Sequence, residues 1–199
     1  MVIGPSFIPR SWYARTGKRQ VDILCAALGL IVLMPLLLVI SLLILATDPG
    51  PVIFRQERVG RRGRPFRFYK FRSMPVGTRN VAKDQLGHVQ LTWFGRLLRR
   101  SNLDELPQIV NILKGDMSLV GPRPPIAAQE DLISLRRANG ALECRPGLTG
   151  LAQVNAYNGM PLTEKAFYDG EYAARISLLL DAAIILRTFR YLAKPPPVY

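Results

Sequence analysis

Two acids and one arginine in a single short run are the chemically suggestive residues of this chain. Asp104 and Glu105 are adjacent in SNLDELPQIVNILKGDMSLVGPRP, residues 101–124, and Arg123 closes the run between Pro122 and Pro124. Prolines on both sides stiffen the backbone around one guanidinium, which can hold a phosphate in bidentate fashion beside an acid pair. The element that must carry the acids is a helix. Ser101 or Asn102 caps it, Asp104 and Glu105 fall in its first turn, Pro107 is tolerated there, and Gly115 ends it after Lys114. Leu103, Leu106, Val110 and Leu113 recur at helical spacing and form its inward face. A purely structural role competes: carboxylates in a first turn complement the helix dipole, and Asn102 with Glu105 three residues on resembles a capping box.

The totals narrow the setting. The chain has 199 residues, enough for one compact domain over 49–199 with an attached segment over 1–48. It is 49% hydrophobic with a mean hydropathy of +0.13, which is apolar for a purely soluble protein. A net charge of +13 calls for an anionic partner: nucleic acid, acidic lipid head groups or a pyrophosphate-bearing substrate. Cys25 and Cys144 form no metal-like cluster and suit a reducing cytosolic face. His88 is the only histidine, so neither a zinc site nor a histidine-based triad has its material.

The apolar residues concentrate near the start. Ile23 to Ala46 is a run of 24 residues without a charge, roughly 36 Å as a straight helix and long enough to span a bilayer. Two features argue for a helix that enters one leaflet and returns. Pro35 sits near its centre and removes a backbone hydrogen bond, bending the helix. Basic residues flank both ends, Arg10, Arg15, Lys18 and Arg19 before the run and Arg55, Arg58, Arg61, Arg62 and Arg64 after it, so the positive-inside rule wants both flanks on the cytoplasmic face. The carbonyl freed by Pro35 needs a donor, for which Ser41 or a neighbouring segment is a candidate. Phe7, Trp12 and Tyr13 among the first basic residues suit an interfacial anchor on anionic lipid.

Beyond the run, PVIFRQERV and PFRFYKFR flank Gly60-Arg61-Arg62-Gly63 and predict a β-hairpin. From Gly50 to Asn80, nine Arg or Lys against Glu57 alone give a net +8. Beside a membrane these cations grip lipid phosphates or a nucleotide; interleaved with aromatics they also suit stacked bases, so a membrane-tethered nucleic-acid-binding protein is the alternative. Met74 to Gln90 is polar and loop-like, Leu91 to Arg100 a short amphipathic helix, and Ile126 to Asn139 a helix with Leu132 and Leu135 inward and Glu130, Asp131, Arg136 and Arg137 outward. Arg145-Pro146-Gly147-Leu148-Thr149-Gly150 is open to two readings, a ligand loop or a tight turn before a strand. Ile176 to Leu192 is an interfacial or core-packed helix carrying Asp181, Arg187 and Arg190, and KPPPVY extends after it.

LDELPQ followed by NILKGDMSLVGPRP resembles the signature of the bacterial sugar transferases, the monotopic phosphoglycosyl transferases that start undecaprenyl-linked glycan assembly. Lys18-Arg19 with Asp22, Lys70 in YKFRSM, Arg145 to Asn155 and Asp169 in FYDGEY extend the resemblance over nearly the whole chain. Asn155-Ala156-Tyr157-Asn158 departs from the family's more usual N-G-R-N. The resemblance implies a mostly helical α+β fold on a Pro-kinked re-entrant helix at the cytoplasmic face of the bacterial inner membrane, with a basic hairpin and interfacial helices. It implies transfer of a phosphosugar from a UDP-sugar to polyprenyl phosphate, releasing UMP. Asp104 would be the nucleophile, and Asp104 and Glu105 would hold Mg²⁺. Lys70, Pro122, Arg123, Pro124, Arg145, Gln153 and Asp169 would bind substrate or phosphate. An inactive scaffold of the same fold is the remaining possibility.

Overall fold

The computed structural model describes residues 11–78, 91–157 and 159–192. Residues 1–10 of the expected interfacial anchor, residues 79–90 of the expected loop with His88, Asn158 and the tail over 193–199 lie outside these. The described chain is mostly helical with a few short strands.

A π-helical turn, Tyr13–Gly17, leads into α1, Lys18–Thr47, which carries Pro35 within it. Ser41 does not supply the donor that Pro35 lacks; its hydroxyl donates to the Leu37 carbonyl one turn back at 2.7 Å. α1 is long and apolar enough to cross a membrane, yet one stripe is packed along its length. Asp22, Ala26, Ile40 and Ile44 are buried, and Leu30, Leu33 and Leu37 pack between them. Spacings of three and four place these on one face, while Leu24, Leu28, Ile31, Val32, Leu38 and Leu42 remain exposed.

β1, Ile53–Val59, and β2, Pro65–Phe71, pair antiparallel, with Phe54 opposite Lys70, Gln56 opposite Phe68 and Arg58 opposite Phe66. Cross-strand partners share a face, so Arg58, Gln56, Phe54 and Lys70 lie on one side of the hairpin. α2, Trp93–Ser101, starts at Thr92, whose hydroxyl accepts from the Gly95 amide at 3.0 Å. A 3₁₀ turn, Leu103–Glu105, and α3, Gln108–Lys114, follow.

β3, Ser118–Val120, pairs parallel with β4, Gly147–Thr149, across a connection that contains α4, Glu130–Ala138. This pair brings the Gly121-Pro122-Arg123-Pro124 loop against Arg145 to Gly150. A Cβ on Gly150 would lie 2.1 Å from the Gly121 carbonyl oxygen, so only hydrogen fits. Within this stretch Gly147 to Thr149 forms the strand that the turn reading expects. α5, Leu151–Val154, α6, Leu162–Ala174, and α7, Leu178–Leu192, complete the described chain.

Several local expectations change. The acids do not open one continuous capped helix. Asn102 is left-handed at φ 56°, ends α2, and makes no side-chain capping bond, so no capping box forms. The inward face of α3 is Ile109 and Ile112, while Val110 is 39% exposed, because the turn at 103–105 resets the helical phase. α4 begins at Glu130 rather than 126, after a segment stiffened by Pro122, Pro124 and Pro125. Arg136 faces inward, at 2% exposed. Asp181 is also buried, accepting from Tyr13 and Lys18 beside α1 and from Tyr172 of α6.

Candidate active site

The left-handed turn at Asn102 and the 3₁₀ turn after it aim Asp104 into a cleft of about 1730 Å³, with Asp104 itself only 7% exposed. A buried asparagine fixes the opposite wall. Asn111 of α3 accepts from the Tyr69 amide at 3.0 Å and donates to the Arg67 carbonyl at 2.7 Å. The side-chain amide thus continues the ladder of β2 and docks the hairpin on the acid-bearing helix. Lys70, next along that strand, comes to the cleft beside the acids.

The two adjacent carboxylates meet different surroundings. Arg123 grips Glu105 with both arms, Nη1 donating to Oε2 at 3.1 Å and Nη2 to Oε1. Burial works against the Glu105 charge, but the Arg123 charge and hydrogen bonds, the Gln108 side chain and Lys70 outweigh it and hold the acid below its ordinary range. No hydrogen bond or ion pair holds Asp104 among the described residues. Burial, and then the Glu105 charge, push it up to about 6 against the pull of Lys70, Arg99 and Arg123. Burial lowers Lys70 in turn, opposed by both acids and assisted by Arg99 and Arg123. One acid is therefore clamped and ionised, while its neighbour is unpaired and ionises near neutrality.

The Arg123 loop has its own support. Pro122 and Pro124 are buried and only the arginine between them is exposed. Arg136 Nη1 donates to the Arg123 carbonyl at 2.8 Å, and Arg136 is held in turn by Asp169 through Nε at 2.8 Å and Nη2 at 2.6 Å. Asp169 is thus a support three contacts behind Glu105, and the cleft wall does not include it. Gln153 lines the cleft and donates to the Leu148 carbonyl at 3.1 Å.

Arg145 is elsewhere. Its Nε donates to the Gly115 carbonyl at 3.0 Å, next to Arg19, which donates to the Ile112 and Leu113 carbonyls at the same helix end. Both cations complement the C-terminus of α3, so the expected phosphate contact from Arg145 falls outside the cleft. Pro122 does not line it either, whereas Lys70, Asp104, Glu105, Arg123, Pro124 and Gln153 do.

Arg58, Arg99 and Arg136 also line the cleft; sequence reasoning counts Arg58 among the hairpin cations and allows Arg99 to face either phosphate or water, but assigns Arg136 no chemistry. The signals were present: Arg58 alternates in phase with Phe54, and Arg136 stands four residues after Leu132 on one helical face. At residues 155–157, where the sequence leaves the family pattern, Ala156 lines the cleft, and Asn155 accepts from Arg187 at 2.7 Å.

No cluster of three or more His, Cys, Asp or Glu occurs among the described residues. Magnesium takes one or two protein carboxylates and fills its shell with water and substrate phosphate. Unpaired Asp104 beside Glu105 fits that pattern.

The sequence pattern of the family described as bacterial sugar transferase matches residues 13–195. The chain is 43% identical over 180 residues to a UDP-glucose:undecaprenyl-phosphate glucose-1-phosphate transferase of Caulobacter vibrioides, an alignment covering 86% of this chain and 67% of that protein. It is 41% identical over 193 residues to a protein of the same name from Xanthomonas campestris pv. campestris, covering 91% and 40%. It is 35% identical over 199 residues to an undecaprenyl-phosphate galactose phosphotransferase of Salmonella typhimurium, covering 92% and 41%. The chain thus spans about two fifths of the length of the last two.

Proposed function

From the premise that this chain belongs to the bacterial sugar transferase family, we propose that it transfers a phosphosugar from a UDP-sugar to polyprenyl phosphate, giving polyprenyl-diphosphate-sugar and UMP. The observation that carries the mechanism is the unequal treatment of the acid pair: Glu105 is pinned by Arg123 while Asp104 faces the cleft unpaired. An Asp104 carboxylate oxygen attacks the phosphorus that bears the sugar, and the bond from that phosphorus to the bridging oxygen breaks as UMP leaves. An oxygen of the lipid phosphate then attacks the same phosphorus and releases Asp104. Two in-line displacements replace one difficult encounter between two anions.

Lys70, Arg99 and Arg123 supply fixed positive charge where the transferring group becomes more negative. Asp104 and Glu105 would hold Mg²⁺, which when bound neutralises the pyrophosphate. Gln153, at the α5 end of the cleft, is placed for a polar contact to the substrate.

The lipid substrate gives the anchor its purpose. The packed stripe of α1 supports both flanks on one face: Asp22 accepts from Ser118 and Leu119 near one end, and Ile40 and Ile44 pack with Phe71, Phe94 and Leu98 near the other. A straight crossing would draw the cleft into the bilayer with the helix. We therefore place the protein at the cytoplasmic face of the inner membrane, with α1 re-entrant. Single cysteines at residues 15 and 61 in a cysteine-free background should label from the same side; labelling from opposite sides would refute the arrangement.

A panel of UDP-sugars, led by UDP-glucose, offered with polyprenyl phosphate and Mg²⁺ should release UMP with ping-pong kinetics. Mass spectrometry of the enzyme quenched without acceptor should find the phosphosugar on Asp104, and Asp104→Asn should neither turn over nor carry the adduct. An adduct on another residue, or full activity in Asp104→Asn, overturns the mechanism.

A further inference from the structure

We propose that Arg58 is a phosphate ligand of the substrate complex, a prebuilt anion contact in the wall opposite the acid turn; the inference rests on the function proposed above. The cations of the cleft are not equivalent. Arg123 is matched by Glu105 in a two-armed pair, and Arg72, on the extension of β2, is matched by Asp48. Lys70 lies in the field of both acids. Arg58 has no carboxylate partner within ion-pair distance among the described residues, and its guanidinium lies near Glu105 and Arg123.

Its orientation is fixed without a carboxylate. Nη1 donates to the Pro124 carbonyl at 3.2 Å, and the guanidinium carbon lies 5.3 Å from the centre of the Phe68 ring. The Nε hydrogen is buried and has no acceptor among the described residues. Arg99, also in the wall, is held by no such pair of contacts among the described residues. A planar guanidinium in the cleft wall, anchored along one side by the Pro124 carbonyl and the Phe68 ring, is already arranged to offer its remaining Nη hydrogens to a phosphate oxygen. Because Pro124 is part of the Arg123 loop, an anion on Arg58 would lie beside the Arg123 clamp on Glu105.

The anion has two possible sources, the pyrophosphate of the nucleotide sugar and the phosphate of the lipid acceptor. Binding to full-length wild type, Arg58→Gln and Arg58→Lys distinguishes them. In one arm UDP is compared with uridine, and in the other a short-chain polyprenyl phosphate with its alcohol. If Arg58 holds the nucleotide, Arg58→Gln should lose about 10- to 100-fold in UDP affinity and leave uridine binding unchanged; the same pattern in the lipid arm assigns the acceptor. Arg58→Lys should recover part of the loss, because it keeps the charge without the planar fork, and serves as the test should the glutamine variant not fold. A merely structural role would weaken phosphate-bearing and phosphate-free ligands alike. If wild type prefers the phosphorylated ligands and the variants keep that preference in both arms, the inference is overturned. If wild type itself shows no such preference and releases no UMP, the functional reading fails instead.

Discussion

Asp104→Asn should abolish turnover and at the same time stabilise the fold at neutral pH. Asp104 is only 7% exposed, has no hydrogen-bonding partner among the described residues, and is raised from 3.8 to about 6, first by burial and then by Glu105. A carboxyl group whose pKa is higher in the folded chain binds its proton more readily there. Its ionisation therefore costs stability, absent below the unfolded value and developing fully as pH rises through the folded one. At 1.36 kcal/mol per pKa unit the penalty is about 3 kcal/mol at pH 7.5 and about 1.6 kcal/mol at pH 5. Asparagine has nearly the same shape and no charge, so it escapes the penalty. For a chain of this length, about 3 kcal/mol corresponds to a rise in Tm of roughly 6–12 °C. Thermal unfolding in matched bilayer nanodiscs, followed by the fluorescence of Trp12 and Trp93, reads the difference. The gap between variant and wild type should be widest at pH 7.5 and should shrink towards pH 4. An asparagine variant no more stable than wild type at pH 7.5, or a gap that ignores pH, would refute the claim that a strained, uncompensated carboxylate sits in the cleft.

Two further outcomes follow from the same network. The rate constant kcat/KM should fall about tenfold per pH unit below an apparent pKa of about 6, since only ionised Asp104 attacks; an acid limb near 4, measured by UMP release across pH, would place the nucleophile elsewhere. Asp169→Ala strands the buried Arg136 guanidinium and should cost about 3–5 kcal/mol of stability. Replacing Arg136 and Asp169 together by Met and Leu should recover much of that in thermal unfolding while activity stays low, because the Arg123 carbonyl has lost its donor; recovery of both would show that the pair does not position the loop.

The candidate site was legible in unequal parts. LDELPQ and GPRP point to Asp104, Glu105 and Arg123 because short-range rules tie rigid turns and adjacent acids to local geometry. Arg145 sits in an equally suggestive Pro-Gly setting, yet it caps the end of α3 outside the cleft. Local sequence gives a cation its reach but not the carbonyl or carboxylate it will meet. Asn111 shows the converse, an unremarked polar residue in NILKGD whose partners on β2 lie more than forty positions away.

By itself the sequence determined a long apolar helix flanked by basic residues, a basic hairpin, and an acid pair close to a proline-bound arginine. These are consequences of composition and of spacings within a turn or two of chain. Only the tertiary structure decided which of two adjacent carboxylates is free, since that depends on Arg123 reaching back to Glu105 across 18 residues. Only it decided that Arg136 and Asp181 turn inward. A charge can leave water when a partner waits for it in the interior, and those partners, Asp169 for the one and Tyr13, Lys18 and Tyr172 for the other, come from distant elements that the fold alone brings together.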